Sequence, residues 1–177
     1  MNRPHLAFAA LASIFVMSGA HAADGTINFT GELTAQTCTS TVNGTTSVPT
    51  VTLPKLSTAS LASAGATAGS TNFTIELSKC TGTIATAAAI FEAGTGVDPV
   101  TKNLVNTGTA KNVQFQLLDS AGKVIRAGDT ASQVSNTTRT AMSAGTAVLP
   151  YAVQYVASGA STAGTVVGSV TYSINYQ

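Results

Sequence analysis

The C-terminal run Gly164-Thr-Val-Val-Gly-Ser-Val-Thr-Tyr-Ser-Ile-Asn-Tyr-Gln177 constrains this chain more than any other segment. It alternates with period two. Val166, Gly168, Val170, Tyr172, Ile174 and Tyr176 fall on one face, and mostly small or polar residues fall on the other. Successive side chains of a strand point to opposite faces, so the pattern predicts a half-buried β-strand over 164–177. A strand that ends the chain has no following segment to pair with its outer edge. Soluble proteins blunt such edges with charge or proline, and this run contains neither. The expectation is that some other element covers it.

The N-terminus reads as an export signal. Arg3 supplies a short positive region, Leu6 to Met17 an apolar run, and Ala20-His21-Ala22 a small-x-small cleavage site. The apolar run is too short for a membrane span. Cleavage is expected after Ala22, which leaves residues 23–177 to fold as one domain with a substantial core.

Removal of the signal changes the composition. Both histidines, His5 and His21, leave with it. The remainder carries seven basic and seven acidic residues and no tryptophan. There is no basic footprint for nucleic acid and no charge asymmetry to steer a charged substrate. Cys38 and Cys80 are the two cysteines of the chain. In an oxidising compartment they are expected to form one disulfide. Without histidine, two sulfurs cannot complete a four-ligand zinc site, and no metal or cofactor is expected.

The mature segment holds 29 threonines. β-Branched residues favour pleated surfaces, and short alternating runs recur between Gly, Asn, Asp and Ser clusters, which points to an all-β sandwich. The runs are Thr26–Thr34, Thr71–Leu77, Asn112–Leu118 with a turn at Asp119-Ser-Ala-Gly122, Val148–Val156, and Thr165–Tyr176. Ala85–Phe91 is read as a buried strand in preference to a helix because it is short. Leu56–Ser70 and Gly128–Gly145 show no period and are expected to be loops or short turns. The first run, with Ile27, Phe29 and Leu33 and with Gly31 on one face, has two readings. It is either the first strand of its own sandwich or a segment for another partner.

The residues together resemble a type 1-like fimbrial subunit of the chaperone–usher class. Five features carry the resemblance: the alternating Gly25-Thr-Ile-Asn-Phe-Thr-Gly-Glu-Leu33, the Cys38/Cys80 pair, Val51-Thr-Leu-Pro54 followed by Phe73-Thr-Ile-Glu-Leu77, Gly164, and the penultimate Tyr176. They span the whole mature segment. The resemblance implies an incomplete immunoglobulin-like sandwich over 36–177 that lacks its final strand. A donor strand completes it, first from a periplasmic chaperone and then from a neighbouring subunit, by strand addition. It assigns residues 23–35 as the donor extension, with Ile27, Phe29, Gly31 and Leu33 as inserting positions. Gly164, Val166, Gly168, Val170, Tyr172, Ile174 and Tyr176 then form one wall of the acceptor groove. An outer-membrane usher and further copies of the subunit are the other expected partners, and the cell surface the destination. Gly168 either permits close backbone approach or marks a plain bulge.

Other functions fare worse. Enzymatic general-base work would fall to Asp24, Glu32, Glu76, Glu92, Asp98, Asp119 or Asp129, and no two are spaced as a convincing pair. No serine or cysteine has a visible base, and Gly94-Thr-Gly96 is not a phosphate loop. Tyr151 and Tyr155 could form a sugar-stacking surface, but strand core is the simpler reading. The alternative within the family is a minor, adaptor or adhesive subunit that binds a host ligand.

Overall fold

The computed structural model describes residues 37–45 and 49–177. The expected signal, Met1–Ala22, and the alternating run with Ile27, Phe29, Gly31 and Leu33 lie outside the described residues.

Among the described residues, eight strands form two sheets. In chain order they are β1 (Thr37–Val42), β2 (Thr67–Thr81), β3 (Thr86–Phe91), β4 (Val113–Leu118), β5 (Val124–Ile125), β6 (Thr140–Ala141), β7 (Ala147–Ala157) and β8 (Tyr172–Tyr176). A larger sheet runs β1-β2-β7-β4-β5 and a smaller one β6-β3-β8. All pairings within the sheets are antiparallel.

Period two explains which face each strand buries. Phe73, Ile75 and Leu77 of β2, Leu149, Tyr151 and Val153 of β7, and Phe115 and Leu117 of β4 point into one core. Ala87, Ala89 and Phe91 of β3 meet them from the smaller sheet. The alanines let the sheets approach, and the aromatic rings fill the remainder. The Tyr151 ring lies 5.8 Å from that of Phe73 and packs edge-on against Phe91 at 5.3 Å. Tyr151 is therefore core, not a sugar platform. The 85–91 run forms β3 over Thr86–Phe91, a strand as its length suggested, and the Asp119-to-Gly122 turn joins β4 to β5. Cys38 and Cys80 form a disulfide that ties β1 to β2 with a Cα–Cα distance of 4.1 Å.

Three expectations need correction. The strand expected over 164–177 is regular only over Tyr172–Tyr176; the reason lies in the glycine contacts described below. The patternless 128–145 contains β6 and a short helix, α1 (Thr130–Asn136). Two turns are too few to display a helical period, but Asp129 caps the helix by accepting from the Ser132 N–H at 3.1 Å. Within 56–70 there is a 3-10 turn at Thr58–Leu61, and β2 already begins at Thr67.

Candidate strand-acceptor groove

The two edges of the smaller sheet are finished differently. On β3, alternate residues bond to β8. Gln177 and Thr86 exchange both main-chain bonds, at 2.8 and 2.9 Å, and the Glu92 N–H donates to Thr171 C=O at 2.8 Å. Between them Ala88 faces Asn175 and Ile90 faces Ser173. Antiparallel ladders alternate, so the main-chain groups of Ala87, Ala89 and Phe91 point to the other side. There the two-residue β6 covers Ala87. Beyond it, two side chains and the Gly128 N–H, which donates to the Phe91 C=O at 2.9 Å, bond to this side of β3. The Ala89 N–H donates to the Tyr151 hydroxyl at 2.8 Å. The buried Gln133 carboxamide accepts from the Phe91 N–H at 2.8 Å and donates to the Phe91 C=O at 3.0 Å. One amide thus takes the place of a missing strand.

The same alternation turns the N–H and C=O groups of Tyr172, Ile174 and Tyr176 away from β3. Among the described residues no strand pairs with that edge of β8. Beside it lies an apolar groove of about 430 Å³. Val167, Gly168, Val170 and Tyr172 form one wall, while Val42, Val51 and Leu53 approach from the chain around β1. Phe73, Ile75, Phe91, Leu104, Phe115, Leu117 and Val153 reach the groove from the core. Among the described residues, no lysine, arginine, aspartate or glutamate lines it.

The residues expected to form this wall divide into three groups. Gly168, Val170 and Tyr172 line the groove. Val166, Ile174 and Tyr176 pack half-buried against the core without lining it. Gly164 lies apart, against Ala110, where a Cβ would come within 2.4 Å of the Ala110 nitrogen. Toward the chain end the sandwich is bridged by phenols. The Tyr172 hydroxyl meets Ser40 Oγ at 3.4 Å, and the Tyr176 hydroxyl reaches the Cys38 main chain. Burial raises the pKa of Tyr176, with that bond opposing, and burial raises that of Tyr151.

Glycines explain why 164–171 is not a ladder strand. A Cβ on Gly108 would stand 2.2 Å from Thr165 O, and one on Gly96 would stand 2.3 Å from Ser169 O. The segment is therefore seated backbone-to-backbone on the 94–110 connection. Bonds from Thr107 N–H to Val167 C=O at 2.8 Å and from Ala110 N–H to Thr165 C=O at 3.0 Å fasten it. At Gly168 a Cβ would lie 3.0 Å from both the Phe115 ring and Val105 O of the same chain.

Sequence reasoning missed most of the opposite wall. Val51 and Leu53 were noted as a motif, and their period-two spacing was the available signal. Nothing local marked Gln133 as a strand substitute. Among the described residues, no group of three or more His, Cys, Asp and Glu could hold a metal, and no helix is long and apolar enough to cross a membrane.

Known proteins resemble this chain in sequence and in fold. A family model described as FimA, type-1 fimbrial protein, A, matches residues 53–177. The major fimbrial subunit SMF-1 of Stenotrophomonas maltophilia is 43% identical over 164 residues, covering 89% of this chain and 95% of the relative. In fold, the chain resembles a subunit from the structure of a chaperone–usher pilus, with a TM-score of 0.59 and 20% identity, covering 88% of this chain and 96% of that one. It also resembles the P pilus rod subunit PapA, with a TM-score of 0.56 and 15% identity over 78% of this chain and 99% of that one. The fold is thus that of the chaperone–usher pilus subunits, immunoglobulin-like, and the chain belongs to the type-1 fimbrial protein family as a structural fimbrial subunit.

Proposed function

We propose that this subunit polymerises by lending one strand and accepting another. The observation that carries the reading is the apolar groove beside the unpaired edge of β8. The occupant is the alternating N-terminal segment of a neighbouring copy, with Ile27, Phe29 and Leu33 as the apolar side chains and Gly31 as the flat position. Its main chain would bond to Tyr172, Ile174 and Tyr176, and its apolar face would bury against the core. Each large side chain contributes about 1.5–3 kcal/mol of burial, offset in part by the cost of association. Donor and acceptor lie on different parts of one chain, so the contact is head-to-tail and propagates as an open fibre.

Export follows from the same reading. Signal cleavage after Ala22 delivers the subunit to the periplasm. There a chaperone strand holds the groove until an usher passes the subunit to the growing fibre at the cell surface. The relatives are structural subunits, not enzymes, and shaft building fits an uncharged apolar groove better than ligand binding does.

The test is assembly of a chain lacking residues 23–34. Folded, chaperone-bound subunits that form no long fibres are expected. Normal fibres from that variant would refute the reading.

A further inference from the structure

β8 is an edge strand of five residues held on β3; its first residue, Tyr172, lines the groove, and its free main-chain edge runs beside it. One side chain reinforces that grip from the face away from the groove. Arg139, just before β6, lays its guanidinium across β3 onto β8. Its Nε donates to Thr86 Oγ1 at 2.9 Å and its Nη1 to Asn175 Oδ1 at 2.8 Å. Its Nη2 donates to Asn175 O at 2.9 Å and to Thr86 O at 3.3 Å. Both main-chain oxygens already serve the ladder, since Thr86 O accepts from the Gln177 N–H at 2.9 Å and Asn175 stands opposite Ala88.

The composition of this contact is unusual. Among the described residues the one salt bridge joins Arg126 to Asp129, and Arg139 has no carboxylate partner. Its bonds go to neutral groups of two neighbouring strands. A planar fork with five N–H donors can satisfy such a set, and a lysine ammonium cannot reproduce its geometry. A slip of β8 by one residue would exchange its faces, turning Tyr172, Ile174 and Tyr176 outward. Asn175 would then leave the guanidinium.

We infer that Arg139 is a positioning residue for strand acceptance: it pins the register of β8 on β3, and so fixes the groove edge before any strand arrives. It does so without touching the incoming strand. The inference rests on the strand-acceptance reading above. It names a residue that neither the groove lining nor the period-two pattern includes. Holding the receiving edge in place beforehand lowers the ordering cost of binding.

The experiment uses the full chain and a labelled peptide with the sequence of residues 23–34. In Arg139→Ala, amide exchange at Ser173 and Asn175 should accelerate about tenfold or more, the scale of a lost charged hydrogen bond. Peptide uptake should slow in step, while amides of Ile75 and Leu149 in the larger sheet exchange as before. Arg139→Lys should resemble Arg139→Ala, and adding Asn175→Ala to Arg139→Ala should change nothing more at β8. Uniform acceleration across both sheets, unchanged β8 exchange, or additive effects would overturn the inference. Should Arg139→Ala fail to fold, Asn175→Ala alone must give the β8-confined change, and its absence is equally decisive. A wild-type chain that takes up no peptide refutes strand acceptance, while the exchange pattern still decides the role of Arg139.

Discussion

The two edges of the smaller sheet share a fold, a solvent and a length scale, yet one is shut and the other is open. Past β6, the edge of β3 is sealed by the Tyr151 hydroxyl and the Gln133 carboxamide. The edge of β8 has no strand partner among the described residues and borders an apolar groove. Unpaired edges invite association. Within the smaller sheet, buried side chains close one side and the other is left apolar, which directs association there to the β8 side. The difference teaches that, of the two sides of the smaller sheet, the one without a strand partner among the described residues is the one that borders the apolar groove.

The largest effect is expected from reopening the closed edge. Gln133→Leu leaves the buried N–H and C=O of Phe91 without the amide, although the Gly128 N–H still donates to that carbonyl at 2.9 Å. A loss of about 2–4 kcal/mol is expected, read from urea midpoints, together with faster exchange of the Phe91 amide. An unchanged midpoint would show that the carboxamide is dispensable.

Distorting the open edge comes next. Gly108→Ala places a Cβ within 2.2 Å of Thr165 O, so the 164–169 segment must move. A cost of about 1–3 kcal/mol is expected, with slower uptake of a peptide of residues 23–34. Wild-type uptake would mean that this seat does not shape the groove.

A third comparison uses pH. Burial alone would raise the Asp119 pKa, but bonds from Thr138, Lys123 and Ala121 outweigh it and hold the carboxyl below its ordinary value. A depressed pKa contributes stability that is present above the unfolded value and lost as pH falls through the folded one. The melting temperature should therefore fall below about pH 4, and Asp119→Asn should flatten that acid limb while costing about 1.5–3 kcal/mol at neutral pH. Among the described residues no carboxylate or amine lines the groove, so peptide uptake should stay level from about pH 5 to 9. A bell-shaped profile in that range would contradict an apolar groove.

The smallest effect belongs to the phenol bridge. Tyr172→Phe removes a long bond to Ser40, 3.4 Å, and should cost no more than about 0.5–1 kcal/mol. A larger loss in thermal unfolding would mean that the hydroxyl does more than bridge.

What the sequence made legible follows from where the physics is local. Period two located β4, β7 and the centre of β2, because each buries alternate residues against one core. The face of Val166, Val170, Tyr172, Ile174 and Tyr176 does turn toward the core. The same pattern overstated the length of β8, because Gly96, Gly108 and Gly164 seat 164–169 on another backbone at distances no residue pattern encodes. The closure of β3 was invisible for a related reason. Gln133 and Phe91 are 42 positions apart, and nothing in either neighbourhood marks the pair. Arg139 and Asn175 are likewise joined only by the fold. Across the groove from Gly168, Val170 and Tyr172, its lining includes Val42, Val51 and Leu53, which no C-terminal pattern could indicate.

The most direct test of the open edge is a cross-link in assembled fibres. Phe29→Cys combined with Val170→Cys places one thiol on the proposed incoming strand and one on the groove wall. Oxidised fibres should resolve on denaturing gels as a ladder of covalently joined subunits that collapses on reduction. Monomers alone, whether uncrosslinked or closed on themselves, would contradict the account.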